Sequence, residues 1–274
     1  MILAVGRAER FSPNSADKDA AILGGVCGEL ERMGFSVGRV SETDLAPGIR
    51  ADAWLTMGRL PSALGFLASR QSLGEPVVNS PEGIALCCDR QRLTAALGRA
   101  GVPVPPESGA HGVWLKRAHG VAESEWDVRY AADDSRAVAV EAEMRRHGVT
   151  EVMRCAHVPG DLVKFYGVGG TDFFRFFYPG DDGMTKFGDE RRNGRPRHYA
   201  FSEAALRSAA RLAARTAGTA VYGGDCIVRP DGSLCIIDFN DWPSFSRCRA
   251  EAARAIAAMV AERLSGTLLK KRAL

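Results

Sequence analysis

Residues 101–106, Gly-Val-Pro-Val-Pro-Pro, split the chain into two stretches that read differently. Their prolines lack the N–H that a helix interior or a central strand needs, so no regular element runs through them. Before them, strand and helix signals alternate. Ile2–Gly6 is a short apolar strand. A helix over about 17–33 carries Ala21, Ile22, Val26 and Leu30 on one side and stops at Gly34. Residues 35–40 and 53–57 read as strands, Pro61 opens a helix to about Ser72, and 76–79 is a further strand. Two short helices, 81–87 and 89–99, follow. Alternation of this kind implies a parallel sheet flanked by helices. The expected organisation is therefore an α/β domain over 1–105 and a second domain over 106–274.

Past the prolines the rhythm changes. Residues 113–116 and 127–131 read as strands, and 135–147 as a helix closed by Gly148. Three strands at hairpin-like spacing follow at 150–155, 162–168 and 173–178. A basic loop spans 179–199, and Ser202 caps a helix to about Ala217. Strands 225–228 and 234–239 flank Arg229-Pro-Asp-Gly232, a strong hairpin turn, and an alanine-rich helix covers about 248–264. The whole is an α/β (α+β) chain.

Composition excludes several classes. Lys plus Arg number 36 against 33 Asp plus Glu, too balanced for nucleic acid or an anionic membrane to be the main partner. No apolar run approaches the ~20 residues of a membrane span, and no secretory signal is visible. The seven cysteines form no C-x-x-C pair, and several lie in apolar strands. A reducing cytoplasm, without disulfide or structural metal, is the expectation.

The residues that carry chemistry cluster in the hairpin. Asp225 and Asp238 lie on its two arms, and Asn240 follows two positions later, on the same face as Asp238. Two carboxylates and an amide oxygen form the hard-oxygen set that Mg²⁺ uses when phosphates complete its shell. Asp238 ends an apolar Cys-Ile-Ile run, where a carboxylate without a cation would be costly. The alternative is a surface hairpin whose acids face water.

The pattern G-x-D, hairpin, D-x-N-x-x-P resembles the carboxy-terminal signature of ATP-grasp enzymes, including RimK-like ligases and the inositol tris/tetrakisphosphate kinases. The resemblance extends along nearly all of the chain. It implies the ATP-grasp fold with an N-terminal parallel βαβ pre-ATP domain and a small lid at about 113–156. It implies ATP and Mg²⁺ (or Mn²⁺) as cofactors, Asp225, Asp238 and Asn240 as metal ligands, and a small anionic acceptor. Arg90 stands where the family usually has a phosphate-binding Lys, and Lys116 resembles its second phosphate lysine. His119 and Gly120 fall in the phosphate loop, which is poorer in glycine here than in the family. Arg154 and Cys155 lie in the strand whose backbone reads adenine, and Asp161 is a candidate for the ribose hydroxyls.

Lys164 and Arg175 fall where family members place cations near the γ-phosphate and acceptor. Arg175, flanked by four phenylalanines in 173–177, must point away from the core or meet an anion. Lys186, Arg191, Arg192, Arg195, Arg197 and His198 form either a solvated face or a loop over an acidic substrate.

The family's majority reaction phosphorylates a carboxylate, and an amine then displaces the phosphate. A minority are kinases, which this chain resembles in Asp89-Arg90, Ala118-His-Gly120 and the surroundings of Lys164. Gly223 stands where D-alanine–D-alanine ligases carry an Arg, and Ser244 replaces a usual Gly. A multi-phosphate pocket between Arg7, Arg59, Lys164 and the basic loop would favour the kinase; divergence of those cations would weaken it. A non-catalytic nucleotide-binding module would be expected to lose the metal acids, and all three ligands are present.

Overall fold

The computed structural model describes residues 1–12, 15–120, 124–181 and 192–272, with side chains to residue 265. Its first sheet is parallel, in the order β2-β1-β3-β4, built from β1 (Ile2–Gly6), β2 (Val37–Ser41), β3 (Ala53–Thr56) and β4 (Val77–Val78). Helices α1 (Ala16–Arg32) and α2 (Pro61–Ser72) connect these strands, as the alternation of signals required. Ser80 and Asp89 then cap the short helices α3 (Pro81–Cys87) and α4 (Arg90–Arg99), each side chain accepting from a first-turn N–H.

The small sheet, ordered β6-β5-β7, consists of β5 (Val113–Arg117), β6 (Val128–Ala131) and β7 (Val152–Ala156), with α5 (Asp134–Arg146) on one face. The third, antiparallel sheet runs β11-β10-β8-β9, from β8 (Asp161–Val168), β9 (Phe174–Phe177), β10 (Val221–Val228) and β11 (Leu234–Asp241). Helix α6 (Glu203–Ala217) backs this core sheet, and α7 (Arg249–Arg272) closes the chain.

Two expectations need correction. Strands 150–155 and 162–168 do not form a hairpin: β7 joins the small sheet, whereas β8 pairs with β10. Pro159-Gly160 makes the transfer, and Gly160, at φ +152°, lies where a Cβ would come within 2.3 Å of the Val228 carbonyl. Strand β10 also starts at Val221, four residues earlier than expected, because its glycines suppress the strand signal.

The hydrophobic clusters cross residue 105 in both directions. Leu93, Leu97 and Val102 pack with Leu206, Ala210 and Phe239 behind the core sheet, and Ile256, Ala257 and Val260 of α7 pack with Ile22, Val26 and Ala4. Asn79 ties the parallel sheet to β10: its amide oxygen accepts from Ala220 and Val221 at 2.7 Å each, and its amide nitrogen donates to the Val221 carbonyl at 2.8 Å. Among the described residues no helix is long and apolar enough to cross a membrane. The cysteines are free thiols, and all but the half-buried Cys88 are buried.

Candidate active site

The site is set by the β10–β11 register. Asp225 stands directly opposite Asp238, and Gly223 opposite Asn240, so all three oxygen-bearing side chains share one sheet face. A bulge at Asp225/Cys226 leaves Ile237 without a cross-strand partner, since Cys226 pairs with Ile236. The carbonyl of that extra residue accepts from Lys116 Nζ at 3.0 Å, which brings the small sheet against the core sheet.

Lys164, on β8, lies across from Asp225 and donates to both of its carboxylate oxygens at 3.0 and 3.1 Å. Asn240 Nδ2 donates to Asp238 Oδ2 at 2.9 Å, which leaves the amide oxygen available. Burial alone would raise the Asp238 carboxyl, but Lys116, Arg90, the Asn240 hydrogen bond and Lys164 together hold it below its ordinary value. Asp238 is therefore the acid on which the cations of three elements converge. Arg90, at the start of α4, reaches the same place and donates to the Arg117 carbonyl at 2.9 Å.

Beside these charges runs a narrow apolar cleft between the small sheet and the core sheet. Met153 and Cys155, two apart on β7, form one wall; Ile236, Ile237 and Phe239 form the other, with Leu93, Leu97 and Pro105 at the side. Asp238, Lys116 and Arg90 close its polar end. The lining is thus apolar along most of the cleft and charged where Asp238, Lys116 and Arg90 meet.

Among the described residues no three His, Cys, Asp or Glu side chains stand together to hold a metal unaided. Two carboxylates and an amide oxygen form an open set, which fits a hard divalent cation that takes its remaining ligands from phosphate and water.

The expected site residues divide into two groups. Asp225, Asp238, Asn240, Lys164, Lys116, Arg90 and Cys155 come together. Gly120 is close by: its N–H donates to the Cys88 carbonyl at 2.8 Å and anchors the loop beside Arg90. His119 is held between Asp89, at 3.3 Å, and Glu151, at 2.7 Å, and so braces that loop. Arg154 turns its side chain away from the cleft onto Glu141 of α5, at 2.6 Å; only its backbone remains on the strand that borders the slot.

Two residues fall outside. Asp161 is buried, and its carboxylate accepts from the backbone N–H groups of Arg197 and Tyr199 at 2.8 and 2.9 Å, so it anchors the basic loop rather than facing a ribose. Arg175 shares the face of Lys164 but pairs with Glu251 of α7 at the molecular surface. Of the basic loop, Lys186 and Arg191 lie outside the described residues, while Arg192 covers the Tyr130 ring of the small sheet at 3.6 Å.

Asp241 was not singled out by sequence reasoning. It lies one residue beyond Asn240, on the opposite face of β11, fully buried and paired with Arg59 and, at 3.4 Å, with Arg7. Arg7 and Arg59 follow β1 and β3. Both guanidinium groups are engaged by Asp241, whereas Lys164 is engaged by Asp225.

The sequence matches no protein-family model and no curated protein sequence. The fold, by contrast, is similar to solved structures over nearly the whole chain. A RimK-domain ATP-grasp protein from Sphaerobacter thermophilus superposes with a TM-score of 0.63 at 19% identity, covering 94% of this chain and 98% of that one. D-alanine–D-alanine ligase from Bacillus anthracis gives 0.66 at 11% identity, covering 99% and 98%. A D-cycloserine synthetase gives 0.63 at 16%, covering 96% and 100%. The chain has the ATP-grasp fold.

Proposed function

We propose that this protein is an ATP- and Mg²⁺-dependent enzyme that activates the carboxylate of a small molecule as an acyl phosphate, which an amine then captures to give an amide. The observation that carries this reading is the convergence of Asp225, Asp238 and Asn240 with Lys164, Lys116 and Arg90 at the charged end of an apolar cleft. The structural neighbours include two ligases or synthetases and a RimK-domain protein, which supports ligation as the reaction class.

In this reading Met153, Cys155 and Ile237 hold the adenine and exclude water from it. Arg90 and Lys116 bind the polyphosphate. Asp225, Asp238 and Asn240 hold Mg²⁺, which when bound offsets the charge of the phosphates. Lys164 leaves its contact with Asp225 to a cation and turns its donors to the transferred group and the acceptor oxygen. No side chain acts as nucleophile; positioning and charge neutralisation supply the rate.

The engagement of Arg7 and Arg59 by Asp241 favours a carboxylate over a phosphorylated polyol as acceptor. Gly223 leaves no room for the Arg that D-alanine–D-alanine ligases carry at the resembling position, since a Cβ there would meet Pro243 Cγ at 2.8 Å. The acceptor side is thus built differently from theirs.

The test is a screen of amino acids and other small carboxylates, with and without amines, for ATP consumption, followed by product analysis. A ligase releases ADP and free phosphate only when both acceptor and amine are present. Phosphate retained on a stable product would replace this reading with a kinase, and no ATP turnover with any acceptor would leave a binding module.

A further inference from the structure

We infer that residues 192–199 form a strap tying together the two sheets that wall the cleft, and that a proton on His157 releases it. The base of the strap belongs to the core sheet. Its Arg197 and Tyr199 N–H groups donate to the buried Asp161 carboxylate at 2.8 and 2.9 Å, and bonds to a charged acceptor are the strong ones. Pro196 packs on Gly180, where a Cβ would come within 2.7 Å of the proline ring. The tip belongs to the small sheet, because the Arg192 guanidinium lies over the Tyr130 ring at 3.6 Å.

Pairing across the small sheet shows where the tip sits. Tyr130 on β6 and Cys155 on β7 both stand opposite Trp114 on β5, so the three form a row on one face. Cys155 lines the cleft, and Tyr130 lies on the edge strand at the other end of that row. A connection from Asp161 to Tyr130 therefore joins the two walls and sets how readily they part. Its ends are unequal. Bonds to a buried carboxylate hold the base, whereas a cation–π contact at the surface, a weak interaction, holds the tip. The tip is the end that one added charge can dislodge.

His157 stands at this weak end. Its ring meets Tyr130 edge-on at 5.7 Å, and its Nδ1 accepts from the Trp114 indole N–H at 3.1 Å. Accepting at Nδ1 requires a neutral ring with its proton on Nε2. A proton added at Nδ1 breaks that bond, since two donors then face each other, and it places a positive charge near Arg192. Trp114 and Tyr130 face His157 from β5 and β6; the charges that act on it are Arg192 of the strap and His111 of the loop before β5, with no carboxylate among them. Burial, Arg192 and His111, in that order, hold the imidazole below its ordinary value. The strap is thus closed at neutral pH and opens in acid. Docked Arg192 weakens proton binding at His157, so a proton on His157 must weaken the docking of Arg192 by the same factor. His198, near the base, faces Asp181 at 3.3 Å, and a charge there strengthens the base instead of releasing it.

The tie involves no nucleotide and is tested without one, so its failure would leave the proposed reaction untouched. An NMR titration of the full chain locates the His157 midpoint, the ring signal being the one lost in His157→Gln. Amide hydrogen exchange, corrected for its intrinsic pH dependence, is then compared at neutral pH and about one pH unit below that midpoint. Peptides covering 192–195 and β6 should exchange at least about fivefold faster in acid. His157→Gln keeps an acceptor for Trp114 but cannot charge, and should abolish the acceleration, with thermal melts confirming its fold. The surface substitution Arg192→Gln should exchange fast at both pH values and raise the His157 midpoint. The inference fails if wild-type exchange is the same at both pH values, or if His157→Gln still accelerates in acid. It also fails if Arg192→Gln leaves the His157 midpoint unchanged, or if the wild type unfolds before His157 titrates.

Discussion

At the scale of single residues, Asp238 decides what the site can do. Its carboxyl lies below the ordinary value because Lys116, Arg90, Asn240 and Lys164 outweigh the cost of its burial. It therefore remains an anion throughout the neutral range, and nucleotide binding should show no titration from Asp238 near neutral pH. A depressed folded-state value also contributes stability that is present above the unfolded carboxylate's value and lost as pH falls through the folded one. Asp238→Asn should abolish Mg-ATP turnover at neutral pH, leave the circular dichroism spectrum native, and flatten the acid limb of the stability curve. Retained turnover would contradict the metal assignment.

Lys164→Ala makes a different prediction. Loss of a donor aimed at developing charge lowers kcat by roughly 10²–10³, so kcat should fall far more than nucleotide affinity; a selective loss of ATP binding would move Lys164 out of the acceptor region. Alternation along β11 made Asp238 and Asn240 legible as a pair in the sequence, because period two is a local rule. The partners of Asp161 and Arg175 were not legible. Each is fixed by a residue far along the chain, Arg197 and Tyr199 in one case and Glu251 in the other.

At the scale of elements, the hairpin is held in register by glycines as much as by its turn. Gly232, at φ +79°, accepts the left-handed conformation that closes the Arg229–Ser233 loop, and the sequence announced it. Gly224 is tighter still: a Cβ there would lie 2.4 Å from the Asp238 carbonyl and 2.6 Å from Phe165 Cζ. Gly224→Ala must push β11 away from β10 and so spread Asp225 and Asp238. It should cost about 3 kcal/mol in urea unfolding and weaken Mg²⁺-dependent nucleotide binding together with stability. Unchanged stability would mean that the two strands are not this close. The bulge at Ile237, which hands its carbonyl to Lys116, had no signal in the sequence. A bulge is a property of the pair of strands, whereas hydrophobic patterning reports on one strand at a time. The same limit explains why β7 read as a hairpin partner of β8: spacing gives proximity along the chain, not the sheet that a strand will join.

At the scale of the whole molecule, the parallel sheet and β11 are tied through Asp241. Its carboxylate receives Arg7, from the loop after β1, and Arg59, from the loop after β3; Arg7 is in turn held by Asp19 at 3.2 Å. Burial and the neighbouring Arg59 pull Arg7 below its ordinary value, whereas Asp241 overcomes the burial of Arg59 and raises it. Two buried cations thus share Asp241, with Asp19 as the second anion of Arg7, and the pair of sheets depends on this set. Removing one member of such a set typically costs about 3–5 kcal/mol, because the remaining charges stay buried without compensation. Asp241→Asn should lower unfolding free energy in urea by that amount. The triple replacement Arg7→Met, Arg59→Met, Asp241→Leu should recover part of the loss, since it leaves only Asp19, still bonded to Ser12, without its cation. If the clasp serves only stability, the triple variant regains turnover as well. If it also sets the angle at which β11 presents Asp238 and Asn240, the triple variant regains stability while kcat stays low; failure of Asp241→Asn to destabilise at all would show that the two sheets are not joined here.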